Sequence, residues 1–256
     1  SGIQHEWIST HLDLSNLDDP LQAIRSFCKV IKEKGQEPAQ IHGSIRLRMC
    51  DNFYWPTLKE VFNCLPMFKV LLNPQSIGER DSTTEITRVL NNTYDFFQKG
   101  QEQGVELSVL FEKMQYLVHI GDDYYKNIVL LRSIRLLVTQ LCDAYNVNFS
   151  GSICIETWLK KGDQSDDANY NLIKNTSQII CAVIGGSDYV YSTCYNRASK
   201  NVNANNRINR NISHVLKLES YMDRVIDPAA GSYFFESMTD HLCARAWHQF
   251  QNREEL

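Results

Sequence analysis

The sequence predicts an α/β protein built from parallel β/α units, tending toward an eight-stranded barrel. Three observations carry this expectation. Seven short apolar runs of strand character alternate with segments whose apolar residues recur every three or four positions. That alternation implies parallel strands joined by right-handed crossovers. The units repeat at roughly 25–45-residue spacing, which suits an open doubly wound sheet or most of a barrel. Gly-rich phosphate fingerprints are absent, and Gly185-Gly186 follows a helix and precedes a strand. That is the wrong context for a dinucleotide loop and favours the barrel. Residues 1–256 read as one barrel-type domain, with no linker and no low-complexity tail.

The elements follow in order. Trp7 to Leu14 reads as the first strand. Asp19-Pro20 supplies an N-cap and a first-turn proline for a helix carrying Leu21, Ile24, Phe27, Cys28 and Ile31, with Gly35 as its stop. Gln40 to Leu47 is a second strand, and Pro56-Thr57 opens a short helix. Phe68 to Leu72 is apolar throughout, as a strand buried on both faces should be. Ser82-Thr83-Thr84-Glu85 is a capping box ahead of Ile86, Val89, Leu90, Tyr94 and Phe97, and Gly100 is the expected stop. Met114 to Ile120 is a fourth strand, followed by a long helix with Ile128, Leu131, Ile134 and Val138 on one face. Ser152 to Trp158 is a fifth strand. Asp166-Asp167 leads into a helix ended by Gly185-Gly186, and Asp188 to Tyr195 is a sixth strand. The asparagine-rich stretch from Asn201 to Asn211 is read as capping the next helix. Arg224 to Asp227 is expected to be a short seventh strand, and Met238, Leu242, Ala246 and Phe250 mark a last helix.

Composition narrows the function. The chain has 26 Lys+Arg against 30 Asp+Glu, a net charge of −4. A nucleic-acid binder needs a cationic surface, so that class is excluded. No apolar stretch approaches the roughly 18 residues of a membrane helix, and a cytoplasmic location is expected. Eight cysteines occur without a CxxC spacing, so they read as buried reduced thiols rather than a zinc clip or a redox motif.

In β/α barrels, reactive groups gather at the C-terminal strand ends. Here those ends carry His11, Asp13, Arg46, Arg48, Asn73, His119, Glu156, Cys194 and Asp227. His11 and Asp13 share a strand face and could act as base and orienter, or simply hydrogen-bond at the mouth. Arg46 and Arg48 suit a phosphate or carboxylate, or form a solvated or interface pair. His119 reads as a structural histidine or a site residue, and Glu156 as a possible general acid or base without a fixed carboxylate partner. Arg132 and Arg135, three apart, point to one side of the long helix and are expected to hold neighbouring loops. No metal-ligand spacing and no Ser–His–Asp pattern stands out.

The segment from Arg224 to Glu236 is the most specific. Its residues Arg224-Val225-Ile226-Asp227-Pro228-Ala229-Ala230-Gly231-Ser232-Tyr233-Phe234-Phe235-Glu236, continuing through Thr239, Leu242, Ala244, Ala246 and Trp247, closely resemble the end of the substrate barrel of methylmalonyl-CoA mutases. The pattern there is roughly R-V-V-D-P-x-G-G-S-Y-Y-x-E, followed by an L-T-x-x-L-x-x-x-A-W helix. Other stretches fit in the right order. Arg207-Ile208-Asn209-Arg210-Asn211 with Glu219 is similar to R-I-A-R-N and its glutamate. Asn171 to Gly186 is similar to another family element, with Lys174 where arginine is usual. Ile120-Gly121 and Leu131 to Leu137 resemble I-G through K-L-R-A-A-R-L-L. The resemblance covers about residues 40–251.

The departures fall on polar positions. The Gly-Tyr-His histidine of the catalytic subunit falls on Pro74, and the substrate glutamine of the T-I-Q-N-D strand on Arg46. The histidine and glutamine of T-H-S-Q-T-S-G fall on Ile155 and Thr157, the cobalamin-contacting glutamate on Asn196, and the lysine of K-L-R-A-A-R on Leu130. Scaffold residues persist where site residues do not, the pattern expected of the mutase's small, non-catalytic subunit. The resemblance thus implies a heterodimer whose large subunit binds adenosylcobalamin and acyl-CoA and interconverts succinyl-CoA and (R)-methylmalonyl-CoA. No cofactor is expected on this chain. Two alternatives stand beside this reading: an active barrel enzyme on another anionic or acyl-CoA substrate, using Arg46, Arg48, His119 and Glu156, and a regulatory or chaperone-like binding module. The family barrel has eight strands against seven here, so another is expected before residue 1. A cobalamin-type domain, whose D-x-H-x-x-G motif is absent within 1–256, is expected beyond residue 256.

Overall fold

A computed structural model describes residues 8–47, 54–72, 81–146, 152–159, 165–192, 195–196 and 202–252. The chain forms two compact units, one from residues 1–73, 93–115 and 147–151, the other from 74–92, 116–146 and 152–256. Both alternate strand and helix, as the sequence predicts.

In the first unit, β1 (Thr10–Asp13), β2 (Gly43–Arg46) and β3 (Phe68–Leu72) lie side by side in chain order. They pair in parallel, with Thr10 opposite Gly43 and Gly43 opposite Phe68. Glycine is required at 43: a Cβ there would stand 2.0 Å from the Thr10 carbonyl oxygen and 2.8 Å from the Phe68 ring. α1 (Pro20–Glu33) starts where the Asp19 carboxylate accepts the Gln22 N–H at 2.9 Å, and buries Ile24, Cys28 and Ile31 along one stripe. Gly35, at φ +74°, lets the chain leave that helix. α2 (Tyr54–Cys64) buries Leu58 and Val61 against the strands.

Helix α3 (Ser82–Glu102) does not stop at Gly100. That glycine sits inside the helix because a Cβ would meet Leu110 Cδ1 at 2.3 Å and the Trp55 ring at 3.0 Å. The turn away comes at Gly104, at φ +74°, and leads into a short helix α4 (Leu107–Glu112). Trp55 stacks on Phe96, and Phe97 packs on Phe111 with centroids 4.7 Å apart.

The second unit carries residues 116–120 of β4 (Met114–Ile120), α5 (Tyr124–Ala144), β5 (Cys154–Leu159), α6 (Ala168–Ile184), β6 (Tyr189–Tyr191), α7 (Val202–Leu218) and α8 (Tyr233–Gln251). Again each strand neighbours the next in sequence, and β5 and β6 are parallel with Glu156 opposite Tyr189 and Trp158 opposite Tyr191. Asp123 and Asp167 cap α5 and α6, and Gly186 at φ +85° closes α6. Ile120 of β4 and Leu159 of β5 join Ile128, Ile179, Ala182 and Leu216 in one helix-covered core. Because side chains alternate across a strand, His119, Glu156 and Trp158 point to the opposite face.

This is an α/β fold with strands in sequential order, consistent with part of a TIM-type barrel. A doubly wound sheet would reverse its strand order at a switch point. Six strands are present among the described residues, not seven. The expected strand at Arg224–Asp227 does not form. Tyr221, at φ +53°, accepts the Arg224 N–H into a turn, and Asp227 begins another. Only Val225 and Ile226 are left between them, and Ile226 is 97% exposed. The asparagine stretch also differs from expectation: Asn203 to Asn211 lie within α7, and buried Asn205 donates to the Asn196 carbonyl at 2.9 Å. α2 begins at Tyr54, two residues before Pro56.

Candidate functional site

On the first unit, the strand-end pairs run across strands. His11 Nδ1 lies 2.6 Å from Ser44 Oγ, its register partner. Asp13, opposite Arg46, receives Arg46 Nη1 at 3.4 Å and the backbone and hydroxyl donors of Ser15 at 3.1 and 2.6 Å. The anticipated His11–Asp13 pair is thus replaced by two pairs reaching β2, and the Arg46 charge is offset by Asp13. Such half-exposed pairs contribute little to stability. Arg48, Asn73, Pro74 and Cys194 lie outside the described residues.

On the second unit, the face opposite the helices gathers His119 of β4, Glu156 and Trp158 of β5, and Tyr191 of β6. The Trp158 ring meets His119 edge-on at 6.0 Å between centroids and lies 5.0 Å from the Tyr191 ring, tilted by 35°. Its indole N–H donates to Glu156 Oε1, two residues back on the same face. Glu156 is only 6% exposed, so this bond helps offset the cost of burying a carboxylate. His119 and Glu156, both predicted as site residues, are therefore brought to one face. A carboxylate anchored to an indole, beside an imidazole and a phenol, forms a packed cluster of rings on this face. The sequence reading missed Trp158 and Tyr191, although their two aromatic side chains at strand ends were the available signal.

A charged knot lies elsewhere on this unit. Arg132, its side chain 13% exposed, reaches Glu236 Oε1 at 2.9 Å and Asp227 Oδ2 at 3.2 Å. Asp227 Oδ1 also accepts the Ala229 N–H, and Glu236 the Gly231 N–H at 3.0 Å. The Arg132 hydrogen bond, with the Gly231 N–H second, holds the Glu236 carboxyl below its ordinary range. Gly231, at φ +77°, and Ser232, at the start of α8, shape the turn after Pro228. Arg135 donates to the carbonyls of Ile153 and Gly186, both at 2.6 Å, and to Asp188 at 3.3 Å. Asp188 in turn accepts the Ile155 N–H at 2.8 Å. These two arginines hold loops, as their spacing suggests. Beside them opens a cavity of about 800 Å³, lined partly by Ile179, Val183, Leu216 and Ile226. Arg207 and Arg210 are exposed on α7.

Further positions read from the resemblance are now placed. Ile155 and Thr157 are fully buried, and by strand alternation they share the helix-covered side with Leu159. Thr157 Oγ1 donates to Ser187 Oγ at 2.6 Å. Neither can touch a ligand on the open face, so the open-face residues of this strand are Glu156 and Trp158. Leu130 is buried, and Asn196 accepts a bond through its carbonyl. Lys174 pairs with Asp122 at 2.6 Å, and Gln178 donates to Gly121 O and Asp122 Oδ1, both at 3.0 Å. Together they pin the loop after β4. Among the described residues, no cluster of three His, Cys, Asp or Glu side chains could hold a metal, and no helix is long and apolar enough to cross a membrane.

Sequential parallel strands with helix-covered faces and an arginine knot define an α/β protein consistent with part of a TIM-type barrel. Within that class the chain belongs to the methylmalonyl-CoA mutase family, whose profile matches residues 77–256. It is similar to the methylmalonyl-CoA mutase small subunit of Porphyromonas gingivalis, 25% identical over 259 residues, covering 91% of this chain and 41% of that protein. It is also similar to the methylmalonyl-CoA mutase of Escherichia coli, 21% identical over 258 residues, covering 92% of this chain and 36% of that one. The large subunit of the Propionibacterium freudenreichii enzyme is 22% identical over 279 residues, covering 100% of this chain and 38% of its own length. The chain thus spans less than half the length of these relatives.

Proposed function

We propose that this chain is a barrel component of a small-subunit-type methylmalonyl-CoA mutase polypeptide, itself non-catalytic, supporting a catalytic large subunit in a heterodimer. The observation that carries this reading is the ring stack on the open strand face. Radical isomerisation needs polar groups that position substrate and a dry space for it. Here Glu156 is bound to the Trp158 indole, and Trp158 and Tyr191 occupy that face. On β5, Ile155 and Thr157 turn toward the helices, and the residues on the open face are Glu156 and Trp158. Adenosylcobalamin and acyl-CoA therefore belong, on this reading, to the large subunit. There the cofactor supplies the radical and the protein orients substrate and excludes water.

Similarity to proteins named small and large subunits supports the family role and a subunit partner. The direct test assays the chain, alone and with a family large subunit, for conversion of methylmalonyl-CoA to succinyl-CoA with adenosylcobalamin. The expected result is no turnover alone, co-purification with the large subunit, and activity of the pair. Turnover by the isolated chain would overturn it, and would favour the reading in which Arg46, Arg48, His119 and Glu156 serve an active site. Failure to associate with any large subunit would favour a separate binding module.

A further inference from the structure

Helices α1 and α2 each follow a parallel strand and pack side by side, so they run in the same direction. Their contact register is marked by Arg25 Nε, which donates to Glu60 Oε1 at 3.2 Å. One turn onward from Arg25 is Cys28, and one turn onward from Glu60 is Cys64. Along two helices that pack side by side in the same direction, the positions one turn on from a contacting pair are the next to face one another. The packing agrees: α1 and α2 lie against one another, and Cys64 Sγ lies 3.8 Å from the same Glu60 Oε1 that Arg25 reaches across from α1. Cys28 is buried and Cys64 partly exposed. Burial first, then Cys64, pushes the Cys28 thiol up to about 11. Cys142, Cys181 and Cys243, by contrast, are buried on α5, α6 and α8.

We propose that Cys28 and Cys64 form an oxidisable dithiol, a modification site at which a low-molecular-weight disulfide writes a covalent cross-link between α1 and α2. The reaction is thiol–disulfide exchange in two steps. The accessible Cys64 thiolate attacks one sulfur of the small disulfide RSSR. A Cys64–S–SR bond forms, the S–S bond of RSSR breaks, and one thiolate leaves and takes up a proton. Cys28 then loses its proton to solvent and attacks Cys64 Sγ, expelling the second RS⁻. The two protein thiols are oxidised by two electrons, and RSSR is reduced to two RSH. Burial holds Cys28 in its neutral form, so Cys64 reacts first and Cys28 serves as the resolving thiol.

The test uses the whole chain in its folded state with glutathione disulfide as the oxidant, followed by alkylation of remaining thiols and peptide mapping by mass spectrometry. The expected product joins the Cys28 peptide to the Cys64 peptide with loss of two hydrogens and no retained glutathione. Cys28→Ser should leave glutathione fixed on Cys64, and Cys64→Ser should leave Cys28 unmodified. The cross-linked chain should melt higher by roughly 5 °C and return to its starting value on reduction with dithiothreitol. Glutathione retained on Cys64 in the unsubstituted chain would overturn the proposal, as would Cys64 joined to another cysteine or no reaction at either thiol. The peptide map of the unsubstituted chain decides the matter without the variants.

Discussion

Two regions of the second unit are built from similar materials and organised differently. In the arginine knot, Arg132 and Arg135 serve two backbone carbonyls and three carboxylates, tying α5 to the start of α8, the segment before β5 and the loop before β6. On the open strand face, the carboxylate of Glu156 accepts from a neighbouring indole, whose ring meets those of His119 and Tyr191. The knot joins segments far apart in sequence. The ring stack fills a space. Charge placed in the first region ties loops together, while the second region is lined by rings.

The knot should be the costlier region to damage. Arg135→Ala strips a charged donor from the Ile153 and Gly186 carbonyls and should lower stability by about 3 kcal/mol in urea unfolding. Trp158→Ala removes a partly exposed ring and should cost about 2 kcal/mol. If the tryptophan variant proves the more damaging, the stack is core rather than infill, and the contrast fails. Gly186→Ala sharpens the knot side alone. Its Cβ would find nothing nearer than Arg135 at 3.6 Å, so the penalty is the left-handed backbone, roughly 1 kcal/mol. The smallest effect is pH-dependent. The folded Glu236 carboxyl titrates below its ordinary 4.5, so its contribution is present above that value and is lost as pH falls through the lower folded one. Glu236→Gln should therefore flatten the decline of the urea midpoint in acid, relative to the unsubstituted chain.

Much of the scaffold was legible in the sequence because capping chemistry is local. Asp19-Pro20, Asp167 and Gly185-Gly186 mark boundaries that the structure keeps. Where the reading failed, long-range packing decided. Gly100 resembles a stop, but Leu110 and Trp55 need it small inside a continuing helix. Val225-Ile226 has strand composition, yet turns on both sides leave it no ladder. Site residues were half legible. His119 and Glu156 stand out as polar groups at strand ends, whereas Trp158 and Tyr191 look like core until cross-strand register sets them together. A one-residue difference in register decides whether a strand position faces ligand or helix, and local resemblance does not carry that parity. Ile155 and Thr157 are the instance here.

Trp158 also gives this molecule an optical handle. It is one of four tryptophans in the chain, and its indole meets one ring edge-on and another at a tilt and is tethered by its N–H. Anything that lodges on that surface, whether a small thioester or a docking polypeptide, has to press on or displace the chromophore. Its emission wavelength and anisotropy then serve as a gauge of occupancy that needs no added label.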